Sequence, residues 1–349
     1  MIASGAQGAA PGDGTTRHGL GAALCVALQS LAVPLGLLYG GVMAVRRRLY
    51  ASGALASHVL PVPVVSVGNL SMGGTGKTPL VSWLVARALA AGKRVGVLSR
   101  GYGRAPGAAL NDEGEMLAAR FPGLPQVQDV DRVRGGRRLV AEHAVDWIVL
   151  DDGFQHRRLR RDRDLVCLDA RKPLSDLRVV PAGSQREFPS ALRAAHAIVL
   201  TRVDQAPAGT LEAWGSALAR RGVAAPVFAA RHAPTRLRLR PEGREMPCAA
   251  LQGRDVVLLS GIARPESFAA TARALGARVV AEHRYRDHHR FQAREIERAA
   301  TRARSADAWL LVTEKDEARL RGCTQARCVL EVDLHFVGAE PGPEALCLA

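Results

Sequence analysis

The segment from Val62 to Gly92 constrains the fold more than any other. It runs from a β-branched apolar stretch, VPVVSVGNL (Val62–Leu70), through the cluster SMGGTGKT into a second apolar stretch. Continuous apolar character over the first stretch predicts a buried parallel strand. After Lys77, residues Val81, Leu84, Val85, Ala88 and Leu89 recur at helical spacing, and Gly92 supplies the stop. A strand, a glycine turn and a helix N-terminus in that order form an anion site, because backbone N–H groups converge there and the helix dipole adds partial positive charge. Gly73, Gly74 and Gly76, with Thr75 among them, allow close approach of a phosphate; Lys77 would reach the β/γ-phosphates and Thr78 would offer its hydroxyl to Mg2+. The usual pattern G-x-x-x-x-G-K-[ST] has Gly where this chain has Ser71.

A phosphate loop with Mg2+ needs a carboxylate at the end of a neighbouring strand. DWIVLDDGFQH (Asp146–His156) provides two, Asp151 and Asp152, where the apolar run Trp147–Leu150 must end. Adjacent carboxylates beside a polyphosphate would repel unless a cation sat between them, so one faces the ion and the other orients water or substrate.

Further strand-like runs at Val95–Ser99, Leu165–Asp169 and Ala197–Thr201 alternate with helical or loop segments, which predicts an α/β fold with a P-loop NTPase-like parallel sheet. Cys167 falls inside one of these runs and is expected to pack as a small apolar residue. A later block carries three more apolar runs, VVLLS, ARVVAEH and AWLLV, separated by predicted helices, and predicts a second, smaller α/β unit. The expected division is a disordered tail over 1–18, a membrane-associated helical segment over 19–50, a nucleotide-binding domain over 51–229 and the smaller unit over 230–349.

The run Gly19–Val45 carries no charge and is followed at once by Arg46, Arg47 and Arg48. Its length suffices to span a bilayer, and the arginines would then place the bulk of the protein on the cytoplasmic side. Gln29, Ser30 and Pro34 favour an alternative, a helix or helical hairpin lying in one leaflet. Export as a signal peptide would separate a phosphate loop from its nucleotide. A buried core helix would rarely lack every charge over such a length.

Lys plus Arg number 48 against 33 Asp plus Glu, a formal charge of +15, so an acidic partner is expected: nucleic acid, anionic membrane or a phosphorylated small molecule. Aromatic residues make up only 4%, and no nucleic-acid module is recognisable, which argues against nucleic acid. The six cysteines are scattered without zinc spacing and are expected to be reduced. TRVD (Thr201–Asp204) matches a guanine-reading motif in outline, but four letters carry little weight.

A phosphate loop alone serves switches, motors and transferases alike. The dimerising membrane ATPase switches have a lysine just before the paired glycines, where this chain has Met72; such a switch is the alternative to a transferase. GNLSMGGTGKTP, SRGYGR (Ser99–Arg104), DDGFQH, PAGSQRE (Pro181–Glu187), GIARPESF (Gly261–Phe268), RDHHRF (Arg286–Phe291) and VTEKD (Val312–Asp316) together resemble the ordered motifs of the tetraacyldisaccharide 4'-kinase family. The resemblance covers the chain from about residue 20 to its end. It implies ATP and Mg2+ as cofactors, and an acylated, phosphorylated glucosamine disaccharide as acceptor. It further implies a location on the cytoplasmic face of the inner membrane and points to no obligate protein partner.

The family's general base lies in a G-D-E-P motif, for which the nearest match is NDEG, so the resemblance implies Asp112, with Asn111 and Gly114 as departures. Its histidine partner falls on His288, with His289 as rival, and an acidic residue near the metal falls on Glu187. A carboxylate accepting the proton of a sugar hydroxyl, oriented by a neighbouring histidine, suits such a transfer. If His288 of the second unit meets Asp112 of the first, the site lies in the cleft between them.

Overall fold

The computed structural model describes residues 15–172, 178–320 and 322–348, with side chains from residue 32 onward. Helix α1 (Thr15–Ala51) is followed by β1 (Val64–Gly68), α2 (Lys77–Ala90), β2 (Val95–Ser99), α3 (Asp112–Arg120), β3 (Gln126–Gln128) and α4 (Arg132–His143). Next come β4 (Trp147–Asp151), β5 (Arg163–Asp169), β6 (Ala197–Thr201), α5 (Thr210–Ala219) and β7 (Val227–Arg240). The chain continues through β8 (Glu245–Pro247), β9 (Asp255–Ser260), α6 (Pro265–Ala274), β10 (Arg278–Arg284) and α7 (Ala293–Ser305). It closes with β11 (Trp309–Thr313), α8 (Glu314–Glu317) and β12 (Arg327–Val337).

The five expected runs of the first half are β1, β2, β4, β5 and β6. They pair in parallel in the order β6-β5-β1-β4-β2, with β3 at the edge. Both faces are covered, as their unbroken apolar sequence requires. On one, Val65, Val67, Val149 and Cys167 pack against Leu80, Leu84 and Ala88 of α2. On the other, Ile148 and Leu150 meet Leu139 of α4, while Ile198 and Leu200 meet Trp214 of α5. The three runs of the later block are β9, β10 and β11, also mutually parallel. In β9, Val256 and Leu258 face α6 while Val257 and Leu259 face α7.

Among the described residues all twelve strands belong to one sheet, ordered β10-β9-β11-β12-β7-β6-β5-β1-β4-β2-β3, with β8 paired to β7. The bridge is a long antiparallel ribbon of β7 and β12, and β7 carries the chain across residue 230 in mid-strand. The two parallel sets attach at opposite ends of this ribbon. β6 pairs with Val227–Ala229 at the start of β7, whereas β11 pairs with Cys328–Leu330, which lie opposite Leu237–Leu239 near the end of β7. Because β7 and β12 run in opposite directions, so do the two sets, and their C-terminal edges face each other across the ribbon. The start of α3, which follows β2, thereby meets the segments that follow β10 and β11.

Helix α1 passes through Pro34 without ending. It lies against the first half through small residues: a Cβ on Gly40 would collide with the ring of Phe188, and one on Gly36 would lie 2.8 Å from the Val179 carbonyl oxygen. Its opposite side leaves Val33, Leu35, Leu37, Leu38, Val42 and Val45 exposed. Among the described residues no helix is long and apolar enough to cross a membrane. Residues 1–14 of the expected tail, and the side chains of Gly19 to Leu31 in the expected membrane segment, lie outside those described.

Candidate active site

The glycine loop joins β1 to α2 as the sequence pattern predicts, with Gly73 at φ 115° and Gly76 at φ 88°, values that favour glycine. Its carbonyls are taken up by the protein. Thr201 Oγ1 (2.8 Å) and Cys167 Sγ (2.9 Å) donate to the Thr75 carbonyl, Arg202 Nη1 to Gly74 (3.1 Å), and Asn69 Nδ2 to Gly73 (3.3 Å). Nothing lies within 4 Å of a Cβ built on Gly73 or Gly74, so the loop is open on the side where an anion would sit. Ser71 is buried and paired in an isolated bridge with Gln185, and Met72 N donates to the Ser184 carbonyl at 2.7 Å. The PAGSQRE segment thus lines the loop as a short strand partner, and Ser71 needs no positive φ. TRVD holds the loop from behind through Thr201 and Arg202.

Strand β4 ends at Asp151, which lies beside Val67 of β1, at the base of the loop. Asp152 receives Lys77 Nζ at 3.4 Å and Arg186 Nη1 at 2.8 Å. Burial alone would raise its pKa, but Lys77 and Arg186 outweigh that and hold it below the ordinary carboxylate range. Asp151 differs. Burial pushes its carboxyl up to about 6, Lys77 opposes this, and the charges of Asp152 and Glu113 add to it; its Oδ1 is shut away from solvent with no hydrogen-bond partner. An orphaned buried carboxylate oxygen beside a phosphate loop fits a cation. Among the described residues no three His, Cys, Asp or Glu side chains gather into a metal-holding group. Glu187 is buried and takes the guanidinium of Arg47, whose Nε lies 2.9 Å from Oε2 and whose Nη2 also contacts it.

Asp112 opens α3, where the helix dipole favours a carboxylate. The two departures from the family motif have visible uses. Asn111 caps α3, its Oδ1 accepting Gly114 N at 3.0 Å, while its Nδ2 donates to the Tyr102 carbonyl of the SRGYGR loop at 3.0 Å. A Cβ at Gly114 would lie 2.7 Å from Gln128 Nε2, which instead donates to Asn111 Oδ1. Across the ribbon, His288 Nδ1 lies 3.2 Å from Asp112 Oδ2, and Arg319 Nε donates to the same oxygen at 2.7 Å. Burial would raise the Asp112 pKa, but these two hydrogen bonds prevail and bring it to about 2. His289 points elsewhere, with Nε2 2.9 Å from Glu295 and its ring stacked on Tyr285. Glu113, next to Asp112, is close enough to Asp151 for its charge to be felt there, which ties the start of α3 to the phosphate loop.

Arg319, Arg186 and Arg132 are absent from the sequence-based site. Arg186 sits inside the quoted PAGSQRE motif, so a search for cations facing Asp151 and Asp152 would have found it. Arg132, buried at the start of α4 with its Nε unpaired, feels both of those carboxylates. Arg319 carries no local signal; only the tertiary fold brings it to Asp112.

An open phosphate loop, a carboxylate pair at the neighbouring strand end and a second carboxylate held by histidine across the cleft define an ATP-dependent phosphotransferase of the P-loop class. The family model described as "Tetraacyldisaccharide-1-P 4'-kinase" matches residues 28–347. A tetraacyldisaccharide 4'-kinase of Anaeromyxobacter sp. (strain Fw109-5) is 40% identical over 333 residues, 90% of this chain and 89% of that protein. One from Geobacter sulfurreducens is 39% identical over 306 residues, covering 83% of each. The crystal structure of the "apo" form of LpxK from Aquifex aeolicus in complex with ATP superposes with a TM-score of 0.72 at 29% identity, covering 92% of this chain and 98% of that one. The chain belongs to the tetraacyldisaccharide 4'-kinase family.

Proposed function

We propose that this chain transfers the γ-phosphate of ATP to the 4'-hydroxyl of a tetraacyldisaccharide 1-phosphate, a lipid A precursor, at the cytoplasmic face of the inner membrane. The observation that carries the reading is the Asp112–His288 contact, next to Glu113 whose charge reaches Asp151 at the base of the phosphate loop, in a chain that matches the family over nearly its whole length. The loop amides of residues 73–78 and Lys77 hold the ATP phosphates, and Asp112 accepts the proton of the attacking hydroxyl. His288 holds that carboxylate in place. Thr78 and Asp151 would hold Mg2+, which would supply charge neutralisation for the phosphates. Asp152 keeps Lys77 and Arg186 aligned, and Glu187 anchors Arg47 of α1.

The exposed apolar side of α1, followed by exposed Arg48, supports attachment to an anionic membrane surface, where an acylated acceptor resides. The excess of arginine suits an acceptor that carries its own phosphate.

Purified protein incubated with γ-labelled ATP, Mg2+ and the lipid disaccharide should place label in the lipid; label found only as free phosphate would favour the ATPase switch. Asp112→Ala should abolish transfer while leaving ATP binding largely intact, whereas Lys77→Ala should impair both. Wild-type turnover in Asp112→Ala would remove the base assignment.

A further inference from the structure

Arg319 follows α8, and its side chain is only 3% exposed. Its Nη1 donates to the Gly261 carbonyl at 2.6 Å and lies 3.3 Å from Asp316 Oδ1. Asp316 is itself buried, held by Thr313 Oγ1 at 2.7 Å and by Gly261 N at 2.9 Å. The guanidinium is therefore locked in the second half of the molecule before it reaches across to Asp112. Its Nε and the His288 ring both address Oδ2 of Asp112, and no described contact engages Oδ1. The far end of the same helix is held likewise: Arg120 lies 3.8 Å from Glu314 and pairs with Asp333. Helix α3 is thus clamped at both ends by residues of the 314–333 segment.

We propose that Arg319 is a positioning residue for the phosphoryl transfer, fixing the Asp112 carboxylate through Oδ2 so that Oδ1 is the oxygen presented to the acceptor hydroxyl. The inference rests on Asp112 being the base. In the step, the acceptor O–H bond breaks and its proton passes to Oδ1. The acceptor oxygen bonds to the γ-phosphorus while the bond to the β,γ-bridging oxygen breaks, and ADP departs with that electron pair. Positioning matters here because a carboxylate displaced by about 1 Å can cost about 100-fold in rate. The charged groups facing Asp112 are His288 and Arg319, with Lys315 and Asp287 beside His288, Asp316 behind Arg319, and Glu113 next along α3.

The test is steady-state transfer from ATP to the lipid disaccharide against pH, in the full chain, for Arg319→Gln, Arg319→Lys and Asp112→Asn. Arg319→Gln should lower kcat by about 10- to 100-fold with the KM for ATP unchanged within about twofold. Its acid limb should move up by about one to three pH units, because a carboxylate that loses an arginine partner becomes easier to protonate. Arg319→Lys keeps the charge but loses the fork that also holds the Gly261 carbonyl, so it should recover only part of kcat while holding the acid limb within about one pH unit of wild type. A wild-type kcat and acid limb in Arg319→Gln would overturn the proposal while leaving the base intact. A folded Arg319→Lys whose acid limb rises by more than about one pH unit would also overturn it, whether or not the Gln variant folds. Activity surviving in Asp112→Asn would instead remove the base reading and the inference built on it.

Discussion

His288 Nδ1 lies 3.2 Å from Asp112 Oδ2, although 176 positions separate the two residues in the chain. The contact exists because β7 and β12 reverse the direction of the second set of strands, which turns the loop after β10 toward the loop after β2. His288 adopts φ 61°, a value few non-glycine residues take, and its backbone N–H donates to the Gly261 carbonyl at 3.1 Å. Backbone strain of this kind is held in place by surrounding structure and clusters at functional sites.

The neighbouring histidines make different contacts, His288 with Asp112 and His289 with Glu295 and Tyr285. If Asp112 is the base as proposed, His288→Ala removes its orienting partner and should lower kcat by about 100-fold, with stability changed by no more than about 0.5 kcal/mol because the side chain is about half exposed. His289→Ala breaks the Glu295 contact and the Tyr285 stack, so it should cost about 1–2 kcal/mol in denaturant unfolding and leave kcat near wild type. Kinetics and unfolding curves on both variants check this, and the reverse pattern would exchange their roles.

Gly76 bears two constraints at once, a left-handed backbone and a Cβ position 2.6 Å from His232 Nε2. Gly76→Ala should therefore weaken ATP binding by more than about tenfold, through about 1–2 kcal/mol of backbone strain plus displacement of the ring. Gly73→Ala carries backbone strain without a collision and should lose less. Calorimetric titration with ATP ranks the two; equal losses would exclude a part for His232.

His232 is kept neutral. Burial pushes its pKa down to about 3, and the charge of Arg202 pushes the same way, with Asp169 opposing and Arg171 adding. The unfolded chain therefore binds a proton at this side chain that the folded chain refuses. Its contribution to stability is complete above about pH 6.5 and is lost as the pH falls toward 3, amounting to about 2 kcal/mol by pH 5. His156, lowered to about 4 chiefly by burial, steepens the same decline. Denaturant unfolding at pH 7 and pH 5 should show a smaller pH effect in His232→Gln than in wild type; parallel behaviour would place the acid sensitivity elsewhere.

Arg47 ties α1 to the first half through buried Glu187, with the guanidinium also stacked 4.9 Å over the ring of Phe154. Arg47→Met leaves a buried carboxylate without its partner and should cost about 3–5 kcal/mol. Replacing both, as Arg47→Met with Glu187→Leu, should recover most of that loss. A double-mutant cycle by denaturant unfolding reads the coupling, and additive losses would show that the pair does not act as a unit.

What could be read from the sequence was local. The glycine loop was legible because a strand, three glycines and a helix start must lie in sequence to form an anion site, and Asp151 with Asp152 because a buried apolar run must end where its first charges stand. Most of the parallel strands were legible for the same reason, being apolar on both faces, whereas the short edge strand β3, Gln126–Gln128, was not. Strands β7 and β12 were not: alternating residues such as Arg236, Leu237, Arg238 and Leu239 give a weaker signal, and their partners lie about a hundred positions away in the chain. Motif resemblance named Asp112 and His288, but left His289 as a rival. Only the reversed ribbon separates their contacts, aiming His288 at Asp112 while Glu295 and Tyr285 hold His289. Arg319 and the pairing of Asp152 with Lys77 and Arg186 depend on distances between segments far apart in sequence. Such distances follow from how the sheet turns and packs, which no single stretch of residues encodes.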